Sequence, residues 1–379
     1  MRKIVIIYAS AGEGHKKAAF AIYEQLRKQS TSDTHVTLID SLDYTNAFFK
    51  FVYKMGYIFM VKYMSTIWGF CYYLLDNKFF FTLNQPFRIL VNTLNTRKLV
   101  AFLKKENFDT CVSTHFLATE VVSRMKKEGK INARLITLIT DYKSHLFWQT
   151  KQVDTYVVGS EDTKQNLISR GVDESIIKAY GIPIDPKFSI VKTKEKIVKK
   201  LGAADTKFTV LVMGGVFGVG PIKEIVTQLQ QLKADFQILV VCGHNEDLFK
   251  DLSALKPKFS KPTTVFGFCN NMDEIMYLSD IMISKVGGMS STESFVSDLI
   301  IVAISPIPGQ EMRNAKFLLR NEAGFMIKKP QEAVSVVADL TSDESKIWAI
   351  KEKIAKIAKP NAAKDISNLS LEKFTPTPI

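Results

Sequence analysis

His15 closes the stretch Ser10-Ala11-Gly12-Glu13-Gly14-His15, directly after the apolar run "KIVIIYA" at residues 3–9 and ahead of the helix-forming "KKAA". An imidazole with a near-neutral pKa can take the proton of a hydroxyl as that hydroxyl attacks, work typically worth about 10²–10⁴-fold in rate. A turn at the carboxyl end of a first strand is also where open α/β sheets bind their ligands. Gly12 and Gly14 leave backbone N–H groups exposed at the start of a helix, which is an anion site. The dinucleotide fingerprint is incomplete, because Lys17 stands at the position of its third glycine.

Two further glycine turns carry chemistry of the same kind. "MGGVFGVGP" (213–221) follows an apolar run and contains Gly214 and Gly215, but it lacks the Gly-Lys-Ser/Thr of a Walker loop. In "SKVGGMSSTES" (284–294), Gly287 and Gly288 let backbone approach a phosphate, and Ser290 and Ser291 can cap the helix or bond phosphate oxygens. Glu293, one turn in, could accept both hydroxyls of a ribose. Either turn alone is also an ordinary strand-to-helix connection; two of them in one domain favour a nucleotide.

The elements that must hold these turns alternate as short apolar strands and helical stretches. Strands are expected at 3–9, 35–40, 109–113, 133–140, 155–160 and 177–181, and, after a proline-bearing stretch, at 208–215, 236–243, 263–268, 281–285 and 300–306. Such alternation means parallel sheets covered by helices on both faces, so the fold class is α/β with two facing doubly wound domains. The expected boundaries are 1–185, with an inserted segment at 44–95, and 186–379, whose polar, basic helical tail from about 343 to 373 is expected to cross back onto the first domain.

Four widely spaced cysteines without a CxxC pairing suggest neither a zinc knuckle nor a disulfide framework, and a reducing compartment is the natural reading. The N-terminal apolar run stops after a few residues and feeds the glycine turn, so it reads as a strand and not as a signal peptide. A net charge of +13 calls for an anionic partner. Residues 44–105 hold nine Lys or Arg against one acid, Asp76, a local balance of +8, and residues 47–81 hold 14 of the chain's 41 aromatic residues. On a helix Lys50, Lys54 and Lys62 fall within an arc of about 120°, leaving the rest apolar. That profile predicts a helix lying in a bilayer interface, with Trp68 among its aromatic anchors and the lysines facing anionic head groups. A pair of core helices with solvated lysines is the plainer alternative. Lysines interrupt every stretch long enough to span. No RNP or helix-turn-helix pattern accompanies the aromatics, so nucleic acid is not an expected partner.

Together, "ASAGEGHKKAA", "ITDYKSH" (139–145), "GIPIDPKF" (181–188), "VLVMGGVFGVGP", "VVCGHNEDL" (240–248), "VFGFCNNMDEIMYLSDIMISKVGGMSSTES" and "SPIPGQEMRNAKFLL" (305–319) resemble the monogalactosyldiacylglycerol synthases and the bacterial processive diacylglycerol glucosyltransferases. These are related to the N-acetylglucosaminyltransferase that forms peptidoglycan lipid II. The resemblance runs in order from residue 3 to about 328. It implies a GT-B fold, a lipid acceptor on the first domain, a UDP-sugar on the second, and inversion at the anomeric carbon.

By that resemblance His15 is the catalytic base. Asp141 and His145 match the family's Thr-Asp-x-x-x-His and would orient His15, bind the acceptor or share the base role. Glu293 carries over as the ribose ligand, Phe268 and Cys269 as the uracil platform, Gly214 and Gly215 as a phosphate or sugar approach, and Gln310 and Glu311 as ligands of sugar hydroxyls. No two aspartates are two residues apart, so no Asp-x-Asp metal site is expected. The leaving diphosphate would instead meet main-chain N–H groups and helix dipoles, with no cofactor. The expected enzyme is peripheral, on the cytoplasmic side of the cell membrane, and uses UDP-glucose or UDP-galactose with diacylglycerol. Another lipid acceptor, or a non-catalytic binding module, is the rival reading. Val286 replaces the family's usual proline, "MSSTES" replaces Leu-Thr-x-Ser-Glu-Ala, and Met312 stands where a second acid is usual.

Overall fold

Ile4, Val5, Ile6 and Ile7 are all fully buried in strand β1 (Arg2–Tyr8), as befits a parallel strand covered on both faces. The computed structural model describes residues 1–204 and 208–374, apart from the side chains of Tyr57 and Lys62, so the interfacial role expected of Lys62 falls outside the described residues. The chain divides into two compact units. The first comprises 1–186, 307–310 and 359–379, the second 187–306 and 311–358.

In the first unit β1 is followed by α1 (Glu13–Gln29), β2 (Thr34–Asp40), α2 (Ala47–Tyr63), α3 (Ser65–Leu75), α4 (Lys78–Asn95), α5 (Arg97–Glu106), β3 (Thr110–Ser113), α6 (Phe116–Lys127), β4 (Arg134–Leu138), β5 (Thr155–Val157), α7 (Glu161–Ile168) and β6 (Ile177–Lys178). Among the described residues these strands form a parallel sheet in the order β2-β1-β3-β4-β5-β6, so the strand order reverses between β1 and β3.

The second unit runs α8 (Lys194–Leu201), β7 (Phe208–Met213), α9 (Ile222–Leu229), β8 (Phe236–Val241), α10 (Glu246–Leu255), β9 (Thr263–Phe266), α11 (Met272–Tyr277), β10 (Ile281–Ser284), α12 (Gly288–Val296), β11 (Ile300–Ile304), α13 (Gln310–Arg320), β12 (Gly324–Ile327), α14 (Glu332–Ser342) and α15 (Glu344–Ile357). Its order is β12-β11-β10-β7-β8-β9, which reverses between β7 and β10. The edge strand β12 was not foreseen. It is four residues long and largely half-buried, so it lacks the continuous apolar run that marks its neighbours. The last helix, α16 (Ala362–Leu371), belongs to the first unit, where it packs on α1 and its Leu369 carbonyl accepts from Arg134 Nη1 at 2.6 Å.

Between β2 and β3 the chain makes the helices α2 to α5. Asn46 caps α2 by accepting from the Phe49 N–H at 2.7 Å, and the helix breaks at Met64. Asp76, the acid at the end of α3, accepts both Arg170 N–H groups at 2.8 Å and the Leu146 N–H at 2.9 Å, which ties the segment to the sheet unit. On α4, Arg88 Nε lies 3.2 Å from Glu120 Oε2 of α6, with both side chains largely buried. The guanidinium sits 4.5 Å from the Phe81 ring centre and 5.0 Å from that of Phe147.

What this segment turns outward is apolar. Phe48, Phe51, Met55, Phe59 and Tyr63 form one stripe on α2, and Phe79, Leu83, Phe87, Leu90 and Leu94 another on α4. Phe48 is 77% exposed and Phe79 70%, which rules out the alternative of ordinary core helices. Lys50 lies on the opposite side of α2 from the stripe and pairs with Asp43. One expected anchor is corrected. Trp68 is half-buried and packs toward Gly309, while Ile67 and Phe70 take the exposed positions on α3. Lys54 remains exposed.

Removing one member of a buried ion pair strands the other. Arg88→Ala is expected to destabilise the fold by about 3–5 kcal/mol in denaturant titration, and replacing both Arg88 and Glu120 by apolar residues of similar volume is expected to cost far less.

Candidate functional site

His15 enters the structure in the first turn of α1, whose N-cap, Gly12, offers no side-chain oxygen to the free N–H groups of that turn. Gly14 lies between them in the same turn. The imidazole reaches across the switch point of the sheet. Its Nδ1 is 2.7 Å from the carbonyl oxygen of Thr114, which follows β3, and 3.0 Å from Thr140 Oγ1, which follows β4. Thr114 returns the contact, its hydroxyl donating to the His15 carbonyl at 3.0 Å. A carbonyl only accepts, so Nδ1 carries the proton and Nε2 of the neutral ring holds a bare lone pair. Burial pushes the His15 pKa down to about 4, against the Thr114 carbonyl, which favours the protonated ring. His15 is therefore a neutral acceptor at physiological pH.

Asp141 follows Thr140 directly and is half-buried, with partners of its own. His145 does not share the base role. Its Nδ1 accepts from the Phe147 N–H at 3.2 Å and its Nε2 donates to the Tyr72 carbonyl at 2.9 Å, so both nitrogens are spent holding α3 against the loop after β4. Sequence reasoning passed over Thr114, His115 and Thr140. His115 is 2% exposed, and its ring stands edge-on to that of His15 with centres 4.7 Å apart. The only signal for it was a polar "STH" immediately after an apolar strand.

Every expected nucleotide-sugar residue lies beyond the carboxyl end of a strand of β7–β11. Gly214 and Gly215 follow β7, and Gly287 and Gly288 follow β10, its neighbour across the switch point. The loop after β7 is packed against the loop after β8: Gly218 has φ +57°, and a Cβ there would lie 2.0 Å from the Cys242 carbonyl oxygen. A Cβ on Gly214 would meet the Val219 nitrogen at 2.6 Å, so the sharp turn excludes any side chain at either position.

Helix α12 begins at Gly288 with Gly287 as its N-cap and no side-chain cap. The Ser290 hydroxyl does not cap it but turns back to the Gly287 carbonyl at 3.2 Å, and Ser291 is buried. The first N–H groups of α12 are thus left for an anion. Val286, where a proline was usual, is buried, and its carbonyl accepts from Asn314 Nδ2 of α13 at 3.2 Å, which holds the turn in place. Glu293 is buried in the second turn of α12 and engaged with its neighbours. Gln310 and Glu311 open α13 after β11; both are half-buried and engaged.

Phe268 and Cys269 follow β9. The Phe268 ring is 51% exposed and stacks on His244, which follows β8, with centres 4.2 Å apart and planes 10° from parallel. His244 thus stacks on the residue expected to form the uracil platform, a contact its place in "CGHN" did not reveal. Burial raises the Cys269 thiol pKa, keeping it neutral, and its Sγ lies 3.6 Å from the Gly267 carbonyl. Among the described residues no cluster of three or more His, Cys, Asp or Glu could hold a metal ion.

Comparison with known proteins places both halves. Residues 15–184 match the monogalactosyldiacylglycerol (MGDG) synthase model, and residues 209–369 match the glycosyltransferase family 28 C-terminal domain. The processive diacylglycerol beta-glucosyltransferase of Staphylococcus aureus strain MRSA252 is 30% identical over 347 residues, covering 91% of this chain and 86% of that one. The chain belongs to the processive diacylglycerol beta-glucosyltransferase family. It is a glycosyltransferase with the GT-B fold. Acinetobacter baumannii MurG shares that fold at TM-score 0.65 and 15% identity, over 98% of this chain and 99% of that one. Anabaena HepE in complex with UDP-glucose does so at TM-score 0.56 and 13% identity, over 97% and 99%.

A base must be unprotonated to act, so with its pKa at about 4 kcat/KM is expected to stay level from pH 8 down to about 5.5. An unshifted imidazole, at about 6.5, would already have lost roughly tenfold there. The pH profile of initial rates checks this. Phe268→Ala is expected to weaken UDP binding by about 1 kcal/mol, roughly fivefold, by calorimetry, with little change in melting temperature.

Proposed function

We propose that this enzyme transfers a hexose from UDP-glucose or UDP-galactose to diacylglycerol, with inversion and without a metal, as a peripheral protein on the cytoplasmic side of the cell membrane. The observation that carries the proposal is the neutral His15 ring with Nε2 bare. The acceptor hydroxyl gives its proton to that nitrogen as its oxygen bonds to the anomeric carbon, and the bond from that carbon to the diphosphate oxygen breaks. A single displacement of this kind inverts the centre and needs one base and no protein nucleophile. The departing charge falls on the main-chain N–H groups of the turn after β7 and of the uncapped start of α12. Glu293 would take the ribose hydroxyls, the Phe268 and His244 rings the uracil, and Gln310 and Glu311 the hydroxyls of the sugar. The relatives' names support diacylglycerol as the acceptor.

An acceptor of that kind lives in a bilayer, and the outward stripes of α2 and α4 supply the means of reaching it. A fully buried Phe or Leu side chain contributes about 1.5–3 kcal/mol, so the eight Phe and Leu of the two stripes, with Met55 and Tyr63, supply ample drive to enter the headgroup region. Exposed Lys54, Lys78, Arg97 and Lys98 add attraction to anionic lipid, about 1 kcal/mol each near the surface. Among the described residues no single helix is long and apolar enough to cross a membrane. Ala47–Val61 and Ser65–Leu75 would suffice only together, and they bend by 113°.

Purified protein with diacylglycerol liposomes and EDTA is expected to form glycosyldiacylglycerol from at least one of the two UDP-sugars; no product from either sinks the proposal. In vesicle sedimentation, Phe79→Ser combined with Phe87→Ser is expected to lower membrane partitioning by about tenfold or more while leaving UDP binding unchanged.

A further inference from the structure

His15 and His115 form a pair whose hydrogen bonds fix opposite tautomers. At His15 the Nδ1 partner is the Thr114 carbonyl, which can only accept, so Nδ1 is protonated and Nε2 is bare. At His115 the Nδ1 partner is the Leu117 N–H at 3.2 Å, which can only donate, so Nδ1 is bare and Nε2 carries the proton. The two rings stand edge to face, 4.7 Å between centres and 83° between planes. One ring therefore offers a lone pair and the other an N–H, on imidazoles whose centres are 4.7 Å apart.

The surroundings keep the pair in this state. His115 is enclosed by Phe116, with ring centres 4.2 Å apart, and by Tyr53 of α2 at 6.0 Å, while Trp148 lies 6.1 Å from His15. Glu120 of α6 and Arg88 of α4 form an ion pair with each other at 3.2 Å. Two adjacent imidazoles in an apolar wall do not both ionise, and the approach of either charge depresses the other.

We propose that His115 is a second imidazole at the acceptor hydroxyl, its Nε2–H donating to the oxygen whose proton leaves for His15 Nε2. This rests on the transfer reaction proposed above. A hydroxyl is the group that matches such a pair, since it donates one hydrogen bond and accepts another through the same atom. The proton passes from the acceptor oxygen to His15 as the new glycosidic bond forms and UDP departs. His115 keeps its own proton throughout, and its N–H stabilises the negative charge that gathers on the oxygen.

The alternative is that His115 serves only as the N-cap of α6. His115→Asn separates the two roles, because the Asn carboxamide oxygen caps a helix well but no donor remains at the Nε2 position. The expected result is a loss in kcat on the order of 10²-fold, with UDP affinity and melting temperature near those of the wild type. His115→Ser, also a good cap, is expected to behave alike and serves if the Asn variant does not fold. Cap-competent variants with wild-type kcat and wild-type KM for diacylglycerol overturn the inference. The chain has five histidines, so long-range ¹⁵N–¹H spectra of the wild type test the tautomers directly: Nδ1–H at His15 and Nε2–H at His115 are expected, and the same tautomer at both overturns the inference. A wild type that glycosylates no lipid alcohol overturns the transfer reading and this inference with it, whereas an active wild type matched by its variants overturns the inference alone.

Discussion

The hydrogen bond from His15 Nδ1 to the Thr114 carbonyl ties the first turn of α1 to the end of β3, across the place where the strand order reverses. Two strands that part at a switch point leave the ends of their loops free, and a side chain that bridges them is held from both sides. The bond does three things at once. It orients the ring, it selects the tautomer, and, by engaging Nδ1, it leaves Nε2 as the nitrogen able to receive a proton. Burial adds the fourth condition, a ring that is neutral at physiological pH.

The second unit solves its own problem by omission. A nucleoside diphosphate needs positive potential at close range, and a helix supplies it only where nothing else occupies its first N–H groups. Gly287 as N-cap, and a Ser290 hydroxyl turned back to the Gly287 carbonyl, leave α12 in that state. The glycine turn after β7 lies beside it because β7 and β10 are neighbours, and its glycines are demanded by the loop after β8 pressing against them. Main-chain groups set by sheet topology reorganise little during a reaction, which is the property electrostatic catalysis uses.

Much of this was legible in the sequence because buried parallel strands announce themselves as apolar runs and glycine turns end them. β1, β7, β8 and β10 fall within a residue or two of their expected starts. The short edge strand β12 carries no such run. The inserted helices were legible in composition and in the side their lysines take, but not in their partners: a helical wheel places Lys50 opposite the exposed stripe, and only the structure shows it paired with Asp43, just before α2. His145 and His115 show the deeper limit. Whether a histidine's nitrogens are free depends on backbone groups distant in sequence, Tyr72 for the one, or on a helix start for the other, and no spacing rule encodes them.

The most direct test of the account is turnover by His15→Ala beside its affinity for UDP. With the proposed base removed and the second unit intact, kcat is expected to fall by about 10²–10⁴-fold while the dissociation constant for UDP stays at the wild-type value. A variant that retains wild-type kcat would contradict the central claim.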